Sequence, residues 1–478
     1  MKPYSKYKAS GVEWIGDIPE HWNISKLKFH TKKIIDGAHF TPTYIDNKNG
    51  VPFLRVTDIH NEFINLDEVK RIPLEEHNEL IKRCNPKKGD LLLSKNGTIG
   101  LMKIIDWDWE FSTFVSLCLI KFENSLLNKF FLYLFLSDIV DKQLFESSQK
   151  TSVSNLHLEK IKELRIILPP LTEQTAIAKF LDRKTAELDT LIANKKSLIE
   201  LLKEERTAII NHAITKGISG LNHDSLDLLD SKDYENQENQ SNPKNHGSDN
   251  VRYKDSGIEW IGEIPEHWEV KKLKYCFEIV GGYAFSSSDF QEEGIQLVKI
   301  GNLYQNQLQL DRQPTYLPNS FKEKHKEYLA NKNDILISLT GTLGKRDYGY
   351  AILIENNNEL LINQRVAKIT TNSLMNIYYS LNMFQSEIYL NELFKIPTGT
   401  KQGNFSCEDI LSIHMAIPDK VEQDNIANFL ETKTTEIDTI ISQTEKEIDL
   451  LKEYKTALIS EVVLGKVDVS SLNHDLLD

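Results

Sequence analysis

Cysteine is scarce in this chain: four thiols (Cys84, Cys118, Cys276 and Cys407) among 478 residues, far apart, with no CxxC pair and no Cys/His cluster. That spacing argues against a disulfide framework and against a zinc site, and points to reduced, buried thiols in a cytosolic protein. Long apolar runs are missing too. The longest, Phe130 to Leu136, falls far short of the ~20 residues that cross a bilayer. The opening residues, Met1 to Lys6, lead into polar sequence without an apolar segment, which argues against a secretory signal. The expected location is therefore cytoplasmic, with no membrane partner.

Catalytic signatures are equally absent. Leu168-Pro169-Pro170-Leu171 shares only its prolines with the amino-methyltransferase motif [DNS]-P-P-[FYW]. Gly341-Thr342-Leu343-Gly344-Lys345 lacks P-loop spacing, and its lysine precedes Arg346 rather than Ser or Thr. No G-x-S-x-G, HExxH or GxGxxG occurs, and the histidines are scattered. The expectation is a chain with no catalytic residues, no metal and no cofactor of its own.

What is present begins with charge. The net charge of −13 argues at first against a nucleic-acid partner, but its distribution reverses that. Residues 1–168 carry +2, 169–222 carry +1, 223–250 carry −5, 251–417 carry −3 and 418–478 carry −8. The acidity lies in a linker and a C-terminal segment, so it vetoes no basic face elsewhere.

The strongest feature is an internal repeat. Tyr7–Phe29 (YKASGVEWIGDIPEHWNISKLKF) and Tyr253–Tyr275 (YKDSGIEWIGEIPEHWEVKKLKY) are identical at 16 of 23 positions, offset by 246. A second match closes each half. Ile167-Leu168-Pro169 and Ala416-Ile417-Pro418 mark strand ends, and Glu173-Gln174 and Glu422-Gln423 then open long helices of similar sequence. The chain is a duplicated two-part unit.

Between those ends only a skeleton is shared: Asp90-Leu91-Leu92-Leu93-Ser94 then Gly97-Thr98-Ile99-Gly100, against Asp334-Ile335-Leu336-Ile337-Ser338 then Gly341-Thr342-Leu343-Gly344. Phe53–Val56 and Ile295–Ile300 read as strands, and Phe130–Leu136 and Leu381–Phe394 as short core helices. Each variable half is thus a mixed α/β domain, giving an α+β chain overall. The divisions are 1–168, a long helix in 169–222, an acidic flexible linker at 223–250, a second domain at 251–417, a second long helix in 418–470 and a tail at 471–478.

Leu181, Leu188, Leu202 and Ile209 fall on one heptad row, as do Leu430, Ile437, Leu451 and Leu458. Ile177, Leu191 and Leu198, with Ile426 and Ile440, supply the second row, four residues before the next member of the first. This is a coiled-coil seam, with polar Lys195 and Thr444 at one core position, the usual device for fixing register. A single amphipathic helix packed on its own domain would explain the stripe. It would not explain a length of ~40 residues, or ~60 Å, which needs a partner. The simplest arrangement pairs the two helices antiparallel about a pseudo-twofold.

His21, His267, Trp14, Trp22, Trp260 and Trp268 recur inside the repeat, which favours structural roles. The candidates for touching nucleic acid are Lys32 and Lys33 of a basic run, Lys95 and Thr98 at the first Gly-Thr turn, and Lys345 and Arg346 at the second. Lys150 and Ser152, with Thr398, Lys401 and Gln402, lie in matching donor-rich stretches before the last strand of each half. Glycine permits close backbone approach there, and Lys or Arg suits phosphates or a guanine edge.

The twinned W-I-G-x-I-P-E-H-W openings, the D-[IL]-L-[IL]-S…G-T-[IL]-G turns and the I-x-[IL]-P…E-Q helix entries, in this order and twice over, resemble the specificity (S) subunits of type I restriction–modification systems. The first half departs in one place, with Thr151-Ser152-Val153-Ser154-Asn155 where many relatives carry a glycine-rich stretch closer to Thr400–Asn404. The resemblance implies two target recognition domains, each reading half of a split, asymmetric sequence in double-stranded DNA. It implies paired helices that set the gap and dock two methyltransferase subunits, with restriction subunits joining the full complex. S-adenosylmethionine, ATP and Mg would belong to those partners, and this chain would be non-catalytic. Two readings compete with it: a scaffold whose domains bind ligands other than DNA, and a self-contained nuclease or methyltransferase, which the missing motifs disfavour.

Overall fold

The two motifs that bound each half of the repeat meet in space. The computed structural model describes residues 2–46, 49–59, 64–137, 139–140, 142–143, 156–219, 221, 251–342, 344–356, 359–396 and 402–469. The expected linker at 223–250 and tail at 471–478 lie outside the described residues. Two compact units result: residues 1–196 with 445–478, and residues 197–444. In the first, strand Asn23–Lys26 pairs antiparallel with Arg165–Leu168, Ile24 opposite Ile167. In the second, Glu269–Lys272 pairs in the same way with His414–Ile417, Val270 opposite Ala416.

Over each pair sits the start of a long helix: the central helix, Leu171–Lys216, and the C-terminal helix, Lys420–Val463. Trp22 is fully buried, and its indole N–H donates to Glu173 at 2.9 Å. His21 reaches the same carboxylate at 2.6 Å, and the Tyr4 hydroxyl donates to it at 2.8 Å. In the second unit Trp268 and His267 hold Glu422 at 2.9 and 2.7 Å. An acidic residue in a first helical turn also suits the helix dipole. The neighbouring Gln174 is wholly buried, accepting from Leu127 N–H at 2.8 Å and donating to the Ser125 and Pro169 carbonyls at 3.1 and 2.9 Å. Gln423 does the same with Asn376, Leu374 and Pro418 at 2.8, 3.0 and 3.0 Å.

The variable parts are sheets. Each has a four-stranded antiparallel sheet, ordered Thr31–Asp36, Leu117–Phe122, Leu91–Ser94, Met102–Ile104 in the first and Phe277–Gly281, Val366–Thr371, Ile335–Ser338, Ala351–Leu353 in the second. The shared D-[IL]-L-[IL]-S skeleton is an inner, fully buried strand of that sheet. A second, mixed sheet contains one parallel pair in each domain, Val51–Leu54 with Ser112–Thr113 and Ile295–Val298 with Leu360–Ile362.

Three expectations need correcting. The strand expected at Phe53–Val56 ends at Leu54, because Arg55 N–H donates to Asp58 at 2.7 Å and starts a tight turn. The strand expected at Ile295–Ile300 ends at Val298, where Asn302 folds back to accept from Lys299 N–H at 2.8 Å. The helix expected over Leu381–Phe394 is two helices, Ile377–Gln385 and Glu387–Lys395. Buried Ser386 divides them, donating to the Met383 carbonyl at 2.7 Å and capping Tyr389 N–H at 3.3 Å.

Within each unit the two long helices run antiparallel. Lys455 meets Asp189 at 2.6 Å in the first, and Arg206 meets Asp438 at 3.1 Å in the second, at matching positions of the repeat. Leu181, Leu202, Ile209, Leu430, Ile437 and Leu458 are buried, and Leu188 and Leu451 half-buried. The expected second seam row holds only near the helix starts, where Ile177 and Ile426 are fully buried. Leu191, Leu198 and Ile440 are 42%, 39% and 44% exposed, while Thr185, Ile192, Ile199 and Ile448 turn inward. The inward row lies four residues after the heptad row rather than three. Lys195 keeps its stem on the seam and its ammonium on Glu447, whereas Thr444 is buried and bonds the Ile440 carbonyl at 2.8 Å.

Truncating Gln174 to alanine strands a buried N–H and two carbonyls, each worth about 1–3 kcal/mol. Gln174→Ala and Gln423→Ala are each expected to lower unfolding stability by about 3 kcal/mol, and by similar amounts. Urea denaturation of each variant checks this.

Candidate nucleic-acid interface

The loops that end the inner strand build the corner of each domain where the two Gly-Thr turns lie. In the first, Ser94 latches the turn, donating to the Thr98 carbonyl at 2.6 Å and accepting from Leu101 N–H at 2.8 Å. Gly97 takes a φ of +74° there, which glycine adopts without strain. In the second, the turn extends as strand Thr340–Thr342, paired antiparallel with Gln402–Asn404.

Behind the first turn lies a buried charge network. Asp36, at the end of its strand, is 4% exposed and receives Lys95 at 3.2 Å, His39 at 2.9 Å and the Arg83 guanidinium at 2.7 Å. Burial alone would raise its carboxyl pKa, but hydrogen bonds from His39 and Lys95 outweigh that and hold it below the ordinary value. Arg83 closes the helix Leu74–Arg83 and also donates to the Gly37 carbonyl at 3.0 Å. Gly37 must be glycine, since a Cβ would sit 2.0 Å from the Thr113 carbonyl. The second domain builds its corner without this network: Gly281 and buried Leu339 stand where Asp36 and Lys95 do. There exposed Arg365 donates to Asn404 at 3.0 Å and Thr340 at 3.3 Å, and Thr340 donates to Asn404 at 2.8 Å.

The expected contact residues fall into distinct groups. Lys32, Thr98 and Lys345 are exposed. Lys33 donates to the Arg83 carbonyl at 2.6 Å. Lys95, expected at the surface, is buried on Asp36 and serves the frame. Arg346 is tied to the helix Glu387–Lys395, with Glu387 at 2.9 Å, Asn391 at 3.0 Å and the Phe394 ring beneath it at 4.8 Å. Lys150, Ser152, Thr398 and Lys401 lie outside the described residues, and Gln402 is placed in its strand opposite Thr342. Elsewhere in the basic runs, Lys26 and Lys28 both close on Glu163 at 2.5 Å, and Lys88 on Asp108 at 2.8 Å. Sequence reasoning missed the corner roles of Asp36, His39, Arg365 and Asn404, and marked Arg83 only as one of a basic cluster with Lys82, Lys87 and Lys88. The visible signal for Arg365 was a polar Asn363-Gln364-Arg365 step between two apolar strands.

Among the described residues no cluster of His, Cys, Asp or Glu is arranged to hold a metal ion, and no helix is long and apolar enough to cross a membrane. Cys84, Cys118, Cys276 and Cys407 are free thiols, and burial pushes Cys118 up to about 12.

Asp36→Ala leaves Lys95 buried without its carboxylate and is expected to destabilise the chain by about 3–5 kcal/mol. Lys95→Leu leaves Asp36 with Arg83 and His39 and installs the second domain's residue, so it is expected to lose less than about 2 kcal/mol. Because the folded Asp36 pKa is depressed, its contribution is fully present above the ordinary carboxylate value, about 4, and fades as pH falls through the lower folded value. Urea midpoints between pH 3 and pH 7, compared with Asp36→Asn, read both effects.

With this geometry in view, comparison with known proteins is informative. The model of the type I restriction modification DNA specificity domain matches residues 19–201 and again 265–450. The chain is 25% identical over 463 residues to the type I restriction enzyme MjaVIII specificity subunit of Methanocaldococcus jannaschii, covering 95% of each. Its fold is similar to that of a chain from a structural study of assembly and conformational transition in the type I R-M system, with a TM-score of 0.61 at 16% identity, covering 94% of this chain and 99% of that one. It is also similar to the HsdS subunit of Thermoanaerobacter tengcongensis, with a TM-score of 0.54 at 14% identity, covering 94% and 98%. The twice-matched domain, on the same two segments that the paired strands and long helices enclose, places this chain in the family of type I restriction–modification DNA specificity subunits.

Proposed function

We propose that this chain reads a bipartite, asymmetric DNA site and carries two methyltransferase subunits to it, and through them the motor–nuclease subunits. The single observation that supports this most is the contrast within the repeat. Both units build the same Trp–Glu and Gln clasp and the same Gly-Thr turn, while the side chains that fill their corners differ: Asp36, Lys95 and Arg83 in one, Gly281, Leu339 and Arg365 in the other. A duplicated frame with diverged loops suits two different half-sites served by two copies of one partner. In this reading the long helices set the gap between half-sites, since half-site separation follows from protein geometry.

The recognition domains carry +2 and −3, and many of their lysines are engaged by carboxylates. Phosphate attraction by the chain alone is therefore weak, and partner subunits closing around the duplex would supply most of it. This chain's own residues position and discriminate. The partners would bind S-adenosylmethionine, ATP and Mg and perform adenine methylation and cleavage.

The test is a genome-wide methylome of the host with and without the chain. The expected result is N6-methyladenine lost at one split motif with a fixed gap, one modified base in each half. An unchanged methylome despite co-purification with an active methyltransferase subunit would overturn the proposal.

A further inference from the structure

We infer that Arg83 is a base-reading residue of the first recognition domain, held by Asp36 so that its free edge meets a guanine in the major groove. The inference rests on the DNA-reading function proposed above and goes further by assigning one residue to one kind of base.

Arg83 uses one Nη1–H on the Gly37 carbonyl and one Nη2–H on Asp36. His39 Nε2 lies 3.3 Å from Nη2, but it faces the Asp36 carboxylate at 2.9 Å. An acceptor-only carboxylate requires that nitrogen to carry the proton, so it takes no hydrogen bond from the guanidinium. Of the five donors three remain, the second Nη1–H and the side-on pair, Nε–H and the second Nη2–H, and it is the side-on pair that suits a planar partner with two acceptors. Guanine N7 and O6 are such a partner, and arginine is the side chain that matches them bidentately.

Arg83 is half-exposed, yet both ends of its anchor are rigid: Asp36 is buried and bonded three ways, and Gly37 is pressed against the Thr113 carbonyl. A lysine-like phosphate contact needs no such frame, whereas reading a base edge needs a guanidinium plane set in advance. Phe40, next to His39 on the same loop, is 54% exposed, an apolar group suited to a thymine methyl or a sugar face beside the arginine.

The second domain supplies an internal comparison. At its corner the exposed Arg365 is anchored by neutral acceptors, Thr340 and Asn404, instead of a carboxylate. Substitution of either arginine should therefore register in a different half of the recognised motif.

The experiment is methylome sequencing of cells carrying the full chain with its methyltransferase subunits, comparing wild type with Arg83→Ala, Arg83→Lys and Arg365→Ala. Arg83→Ala is expected to make one G·C position of one half-site degenerate, with tolerance of the wrong base rising about 5- to 150-fold. The other half-site should be unchanged, and Arg365→Ala should leave the Arg83-dependent position intact. Arg83→Lys keeps the charge and a bond to Asp36 but loses the fork, and is expected to show the same degeneracy. If Arg83→Ala abolishes methylation altogether, Arg83→Lys decides. A motif that stays fully specific in Arg83→Lys, a uniform loss across sequences, or a wild-type motif without any G·C pair overturns the inference. A wild-type chain that directs no split-motif methylation defeats the underlying function instead.

Discussion

A carboxylate and an amide, side by side at the start of each long helix, are the constraint on which the rest depends. Glu173 and Glu422 gather an indole and an imidazole from the opening motif, and Gln174 and Gln423 tie the same helix turn to three backbone groups of the domain. Buried polar groups must be satisfied, so these partners come as a set. With Asn23–Lys26 sealed to Arg165–Leu168, and Glu269–Lys272 to His414–Ile417, the intervening chain is released from holding the ends together. That division of labour lets one frame carry two dissimilar readers.

The electrostatics follow the same division. Cations on the frame side are neutralised in place: Lys26 and Lys28 by Glu163, Lys455 by Asp189 and Arg206 by Asp438. Such exposed pairs contribute little to stability, but they keep the net field of the frame small. At the corner of the first domain a buried carboxylate does the positioning, and in the second a threonine and an asparagine do it.

Much of this was legible in the sequence, and the boundary of legibility has a physical origin. The duplicated ends, the inner strand and both long helices were visible because identical or heptad-spaced residues report them directly. The phase of the seam was not. Leu191 stands next to Ile192 and Leu198 next to Ile199, so each stripe offers two apolar neighbours, and only the opposing helix selects one. The break at Ser386 was hidden inside a continuous helical pattern, since a serine is tolerated in a helix until its side chain finds a cap. The corner network was invisible for a different reason. Asp36, Arg83 and Lys95 are distant in sequence and have no counterparts in the second half, so neither spacing nor repetition marked them, and Lys95 read as a surface cation when burial had made it structural.

If reading and framing are separable, the interior of one domain can replace that of the other between equivalent joints. The equivalent joints are Leu27 with Leu164 and Leu273 with Ile413, where the leucine N–H donates to the opposite carbonyl at 2.8 and 2.9 Å. Replacing residues 28–163 by residues 274–412 in the full chain, together with its methyltransferase subunits, and sequencing the resulting methylome tests this directly. The expected result is an assembled complex that methylates a split site carrying the second domain's half-site twice. A variant that assembles yet still recognises the original pair of half-sites would contradict the account.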